Sequence, residues 1–90
     1  PLDHPPSAAC AAAERAMLAV LDGSCHTPIA ALAEIAGGRL TIAGLLLTPD
    51  GSAEIRAGRA GDVADAAAVG TALGEELRRR AGPEFGLEPS

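Results

Sequence analysis

Cys25 stands in the run Leu21-Asp22-Gly23-Ser24-Cys25-His26-Thr27-Pro28-Ile29, between a helical stretch and an extended one. A structural cysteine normally sits inside an element among apolar neighbours. This one lies among a glycine, a hydroxyl, an imidazole and a proline. A thiol in that setting is accessible and, as thiolate, can carry a group covalently. A protonated His26 beside it would lower its pKa. Adjacent residues of an extended chain point to opposite sides, however, so a solvent-facing His26 is the simpler reading. Cys10 falls on the apolar face of a helical stretch and reads as core packing. His4, Cys10, Cys25 and His26 have no metal-ligand spacing, with no CxxC and no His pair at i, i+4, so no metal site is expected.

The elements that must hold Cys25 are legible around it. Pro5 and Pro6 suit the first turn of a helix, after an extended lead-in over 1–6. The alanine-rich stretch 7–22 repeats Cys10, Ala13, Met17, Val20 and Leu21 along one face, with Glu14 and Arg15 pointing away. Gly23 serves as its C-terminal cap. Residues 29–36 are apolar and end at Gly37-Gly38. Residues 39–47 are rich in Ile and Leu and end in the turn Thr48-Pro49-Asp50-Gly51-Ser52. Residues 53–59 alternate, with Ala53, Ile55 and Ala57 on one side. Three extended runs joined by two tight turns predict an antiparallel meander. A second helix is expected over 63–81, with Asp62 as N-cap and Val63, Ala66, Gly70, Leu73 and Leu77 as its apolar stripe. Arg78, Arg79 and Arg80 fall in its last turn, where positive charge opposes the carbonyl end of the dipole. The expected fold is α+β: α-β-β-β-α, a three-stranded antiparallel sheet with helices on one face and the other face open. Residues 83–90 read as a loose tail.

Ninety residues make one small domain, and the core must be built from little: one Phe, one Met, no Trp and no Tyr. The formal net charge of -5 argues against a nucleic-acid or anionic-membrane partner. All seven basic residues are arginines, a compositional bias rather than a site. Two cysteines do not make a disulfide framework. No apolar run reaches the ~18–20 residues of a membrane span, and with no basic stretch followed by an apolar one, no secretory signal is expected. The chain opens on Pro-Leu-Asp, which reads as a processed piece or a fragment, and the compartment expected is the cytoplasm.

Other motifs reduce to structure. Gly37-Gly38 and Gly58 to Gly61 lack the GxxxxGK[ST] pattern of a phosphate loop. Glu75 and Glu76 precede the three arginines at i, i+3 and i, i+4 spacing and offer local pairs. The α-β-β-β-α order is shared with double-stranded RNA-binding domains, which grip phosphates with bases at the start of the second helix. Here that start reads Gly61-Asp62-Val63-Ala64-Asp65, two acids and no base, so topology does not carry that function. A non-catalytic protein-interaction module stands as the other alternative.

The stretch Ala13-Glu14-Arg15-Ala16, the loop Gly23-Ser24-Cys25-His26-Thr27-Pro28-Ile29, Ala33-Glu34, Pro49-Asp50-Gly51-Ser52 and Gly74-Glu75-Glu76-Leu77 together resemble the C-terminal domain of hydroxymethylbilane synthases, also called porphobilinogen deaminases. The resemblance covers residues 1–82 in one register. It implies a transferase of three domains in tetrapyrrole and heme biosynthesis. That enzyme joins four porphobilinogen units into hydroxymethylbilane with release of ammonia. It further implies a dipyrromethane cofactor held by a thioether to the cysteine that aligns with Cys25. The partners implied are the two preceding domains and porphobilinogen, with no nucleic acid and no membrane, in a monomer. The proton-handling aspartate and the carboxylate-binding arginines belong to those two domains, so no catalytic acid or base is assigned here. The fragment alone is expected to be inactive and to carry no cofactor. Two departures stand out: Ser24 replaces a glycine common in the family, and residues 83–90 are too interrupted for a further helix.

Overall fold

The computed structural model describes residues 5–21, 28–48 and 50–81. Along the chain these form α1 (Pro5–Leu21), β1 (Ile29–Ala36), β2 (Arg39–Leu47), β3 (Glu54–Asp62), a short 3-10 turn (Val63–Asp65) and α2 (Ala66–Arg80). The sheet has the order β1-β2-β3, with both neighbouring pairs antiparallel. The α-β-β-β-α meander is therefore as expected. The tail 83–90, the Gly23 cap and Cys25 itself lie outside the described residues.

Each connection follows from local chemistry. Gly37 and Gly38 have φ of 59° and 77°, and Ala36 pairs with Arg39 across them. Two consecutive positive φ values make the tight hairpin whose twist matches the strands it joins, and glycine meets them without steric cost. Between β2 and β3, Gly51 N–H donates to the Thr48 carbonyl at 2.9 Å, closing the turn.

Strand β2 is the centre of the sheet. Leu40, Ile42, Gly44 and Leu46 alternate towards the helices and are buried. Ala33 and half-buried Ile29, Ala31 and Ile35 join them from β1, with half-buried Ile55 and Ala57 from β3. From above, α1 contributes Ala13, Met17 and Leu21, and α2 contributes Ala66, Leu73 and Leu77. Both helices pack on this one face. The other face carries Ala30, Leu32, Leu45, Arg56 and Gly58, and Leu32 is 60 % exposed there.

The helices approach each other backbone to backbone. A Cβ built on Gly70 would collide with the Ala13 carbonyl, and one on Gly74 would lie 2.8 Å from the Met17 carbonyl. Gly44 makes a matching recess in the sheet, where a Cβ would meet Leu77 Cδ1 and Met17 Sδ, each at 2.8 Å. Three glycines thus bring the helices and the sheet of a thin, alanine-rich core into close contact.

Three boundaries differ by two residues or more from the sequence reading. Strand β3 continues to Asp62, because Arg39 at the start of β2 supplies it with a partner. Asp62 caps the 3-10 turn in extended geometry (φ −72°, ψ 147°), with no side-chain cap hydrogen bond, and α2 begins three residues later than its first predicted turn. At the other end, α1 begins at Pro5, two residues earlier than predicted.

Gly70→Ala should force α1 and α2 apart and destabilise the domain by about 1–3 kcal/mol, the usual cost of overpacking. Gly58→Ala meets only the Ile42 carbonyl at 3.4 Å and should stay within about 0.5 kcal/mol. Urea midpoints for the two variants check this, and equal shifts would contradict the packing argument.

Candidate functional site

Two rigid elements frame the run that bears Cys25. Upstream, α1 ends at Leu21, which is fully buried. Downstream, the Pro28 carbonyl accepts a hydrogen bond from Leu47 N–H at 3.1 Å, extending the β1–β2 ladder one residue beyond the strand. Residues 22–27, including Cys25 and His26, lie between these anchors and outside the described residues.

The ladder's phase decides what the edge of β1 offers. Pro28 faces Leu47 as a hydrogen-bonded pair, so bonding alternates to Ala30, Leu32, Glu34 and Ala36. Ala33 lies between bonded positions, and its N–H turns outward from the sheet. Glu14 Oε2 of α1 accepts that N–H at 2.8 Å. Glu14 therefore does not point away from the fold, as helical periodicity alone suggests. It reaches over the sheet edge and fixes α1 to β1. A half-exposed carboxylate accepting a backbone donor contributes about 1.5 kcal/mol, the low end for charged acceptors.

The opposite edge is closed by an arginine. On β3 the outward-turned carbonyl of Arg56 accepts from Arg80 NH1 at 3.2 Å. Glu76 gathers Arg80 and Arg59, each at 3.5 Å, and Arg56 pairs with Glu54 at 2.8 Å. Of the C-terminal arginines of α2, Arg80 takes part in this local pairing. Asp62 and Asp65, where the helix begins, are both exposed and would repel phosphates.

Cys10 is a free thiol, half-buried against the core. Its exposure is greater than the core reading implies, so it is partly accessible in the folded state. No group of three or more His, Cys, Asp and Glu among the described residues is placed to hold a metal ion. No described helix is long and apolar enough to cross a membrane. On the open sheet face, Ala30, Leu32, Ala43, Leu45, Arg56 and Gly58 line a shallow groove of about 550 Å³. It is suited to apolar contact and brings no acid–base pair together.

The β2–β3 turn is organised by one carboxylate. Asp50 Oδ1 accepts from Thr48 Oγ1 at 2.8 Å, from Ser52 N–H at 3.0 Å and from Ser52 Oγ at 2.8 Å. Ala53 N–H donates to Thr48 Oγ1 at 3.1 Å. The Ser52 backbone and hydroxyl donors, then the Thr48 hydroxyl, lower the Asp50 pKa from 3.8 to about 2.

Comparison with known proteins bears on this frame directly. Residues 8–79 match the family described as porphobilinogen deaminase, C-terminal domain. Over 73 residues, 81 % of this chain, it is 62 % identical to the porphobilinogen deaminase of Paracoccus denitrificans and 48 % identical to that of Nitrobacter hamburgensis. The matched region is 23 % of each relative, so the chain spans about a quarter of their length.

The Asp50 turn lies within the matched region and has a definite pH signature. Its folded pKa is depressed, so its contribution to stability is full above 3.8 and is lost as pH falls through about 2. A carboxyl NMR titration should find its midpoint near 2, and Asp50→Asn should flatten the stability change across that window. A midpoint near 3.8 would show that the three donors do not favour the anion.

Proposed function

The chain belongs to the porphobilinogen deaminase family, as its C-terminal domain, and from that premise we propose that it carries the dipyrromethane cofactor, held through a thioether at Cys25. The whole protein is then a cytoplasmic, monomeric transferase that joins four porphobilinogen units into hydroxymethylbilane and releases ammonia. Residues 1–82 are the third domain of that enzyme and 83–90 its tail. The observation that carries the reading is the family match over 8–79, which encloses the whole run from Leu21 to Ile29.

The chain's own residues fit a tether and little else. Cys25 offers one sulfur, activated as thiolate. The buried Leu21 and the bonded Pro28 hold the two ends of its segment. When bound, the dipyrromethane keeps the growing chain attached, so repeated capture becomes an intramolecular encounter. A carboxylate cradle is a different matter. Arg56, Arg59 and Arg80 are paired with glutamates, and they sit on β3 and α2, across the sheet from β1. The resemblance to the family assigns the cations for a polycarboxylate, and the proton transfer, to the two preceding domains.

In the full-length protein, the Cys25 peptide should carry the mass of a dipyrromethane. Cys25→Ser should abolish both adduct and activity, since a hydroxyl is a far weaker nucleophile than a thiolate near neutral pH. Cys10→Ser should retain the chemistry and lower stability by at most about 1 kcal/mol. An unmodified Cys25 in active enzyme, or an active Cys25→Ser variant, would overturn the assignment. The 90-residue chain alone should form no hydroxymethylbilane from porphobilinogen; turnover by it would refute the division of labour between domains.

A further inference from the structure

We infer that Asp50–Gly51 is a latent site of isoaspartate formation, a change of backbone linkage that Ser52 and Thr48 hold shut in the folded chain. The site is independent of Cys25 and of the family reading. An aspartate followed by glycine is open to this change because glycine puts no Cβ beside the attacking nitrogen. The Gly51 amide nitrogen attacks Cγ of the neutral Asp50 carboxyl. A C–N bond forms, and the hydroxyl of the carboxyl leaves as water, taking the nitrogen's proton. Water then adds at the Asp50 main-chain carbonyl carbon and breaks its bond to that nitrogen. The main chain now runs through the Asp50 side chain, at unchanged mass and with water as the only co-reactant. Asp50, Gly51 and Ser52 are all exposed, so water reaches every atom involved, and they lie beyond the ladder of β2 and β3, which ends at Leu47 and Glu54. The same triplet at Asp22-Gly23-Ser24 lies outside the described residues.

Two features of the turn oppose the reaction. Asp50 Oδ1 accepts from Thr48 Oγ1 at 2.8 Å, from Ser52 N–H at 3.0 Å and from Ser52 Oγ at 2.8 Å. Donors of this kind favour the anion. The carbon of an ionised carboxyl resists a nucleophile, and the lowered Asp50 pKa, about 2, accords with that protection. The second feature is on the nitrogen. Gly51 N–H is held by the Thr48 carbonyl at 2.9 Å, so turning this peptide plane towards Cγ costs a hydrogen bond. Reaction would also undo the turn. The new linkage adds one carbon to the main chain between Thr48 and Ala53, whose spacing is set by Thr48 N–H on the Ala53 carbonyl at 3.0 Å and Ala53 N–H on Thr48 Oγ1 at 3.1 Å.

The test follows isoaspartate in the full-length protein, kept folded at neutral pH and then cleaved with trypsin. Arg39 and Arg56 bound a peptide whose one aspartate is Asp50. Its isoaspartyl form has the same mass, elutes separately and is identified by electron-transfer fragmentation. Isomerisation in the urea-unfolded chain should exceed that in the folded parent by ~10-fold or more, since loss of even one hydrogen bond to a charged acceptor is worth that factor. Ser52→Ala removes the hydroxyl donor and should raise the folded rate by up to ~10-fold. Ser52→Thr keeps a hydroxyl and should stay near the parent. Thr48→Val should also accelerate the reaction; if it fails to fold, the two Ser52 variants decide. Absence of isoaspartate at Asp50 in the unfolded chain would show that there is no latent site. A folded parent that reacts as fast as the unfolded chain, or a Ser52→Ala variant no faster than the parent, would show that the turn does not hold it shut.

Discussion

The closeness of α1 and α2 is the constraint on which the rest of this domain depends. Three strands at about 4.8 Å spacing make a narrow platform. Two helices at the ordinary 8–10 Å separation barely fit over it. Here Gly70 and Gly74 remove the side chains between the axes, and Gly44 lowers the floor beneath Met17 and Leu77. The fully buried leucines of the helices and sheet centre, Leu21, Leu40, Leu46, Leu73 and Leu77, can then share one small core with Met17. An alanine-rich sequence with one aromatic residue is thus suited to its architecture, since larger residues at the helix interface would leave an outer strand uncovered.

A three-stranded sheet has two edges for one central strand, and each edge exposes backbone groups that invite pairing with another chain. The domain closes them with opposite chemistry. Glu14 accepts from an N–H on β1, and Arg80 donates to a carbonyl on β3. Each arm comes from the helix above its own edge. The two bonds therefore add to the core packing in setting how each helix sits on the sheet.

Much of this was legible in the sequence, for identifiable reasons. Gly37-Gly38 between two apolar runs has one good solution, a two-residue hairpin, and the helical stripes through Met17 and Leu73 mark their buried faces without ambiguity. The end of β3 was hidden because Gly58 and Gly61 lack strand propensity. Its extension comes from pairing with Arg39, a long-range effect that no local pattern encodes. Asp62 has the residue type of a cap, but the ladder claims its backbone first. Glu14 is the instructive case. Its position on the helix puts it outside the apolar stripe, and periodicity assigns such a residue to solvent. Only the phase of the β1–β2 ladder, set by Pro28 and Leu47, shows that an unpaired N–H awaits it. Its presence in the Glu-Arg-Ala motif was the one available signal, and that signal identifies a family without stating a role. Cys25 was singled out by its setting and by the resemblance, and the family match encloses it.

Several of the polar side chains are committed within the fold. The edge carboxylate and edge arginine are committed to backbone groups, and Glu76 is committed to Arg59 and Arg80. Asp50 is spent on its own turn, where three donors keep it ionised far below neutral pH. The open sheet face offers alanines, glycine and two leucines around Arg56, with Glu34 and Thr41 paired further along it. The described residues also fix the two ends of one segment, through the buried Leu21 and the bonded Pro28. The segment between Leu21 and Pro28 is bounded on one side by a helix locked to two neighbours and on the other by the start of the sheet. The net charge of -5 and these two anchored ends suit a domain that frames a segment rather than one that gathers anionic groups.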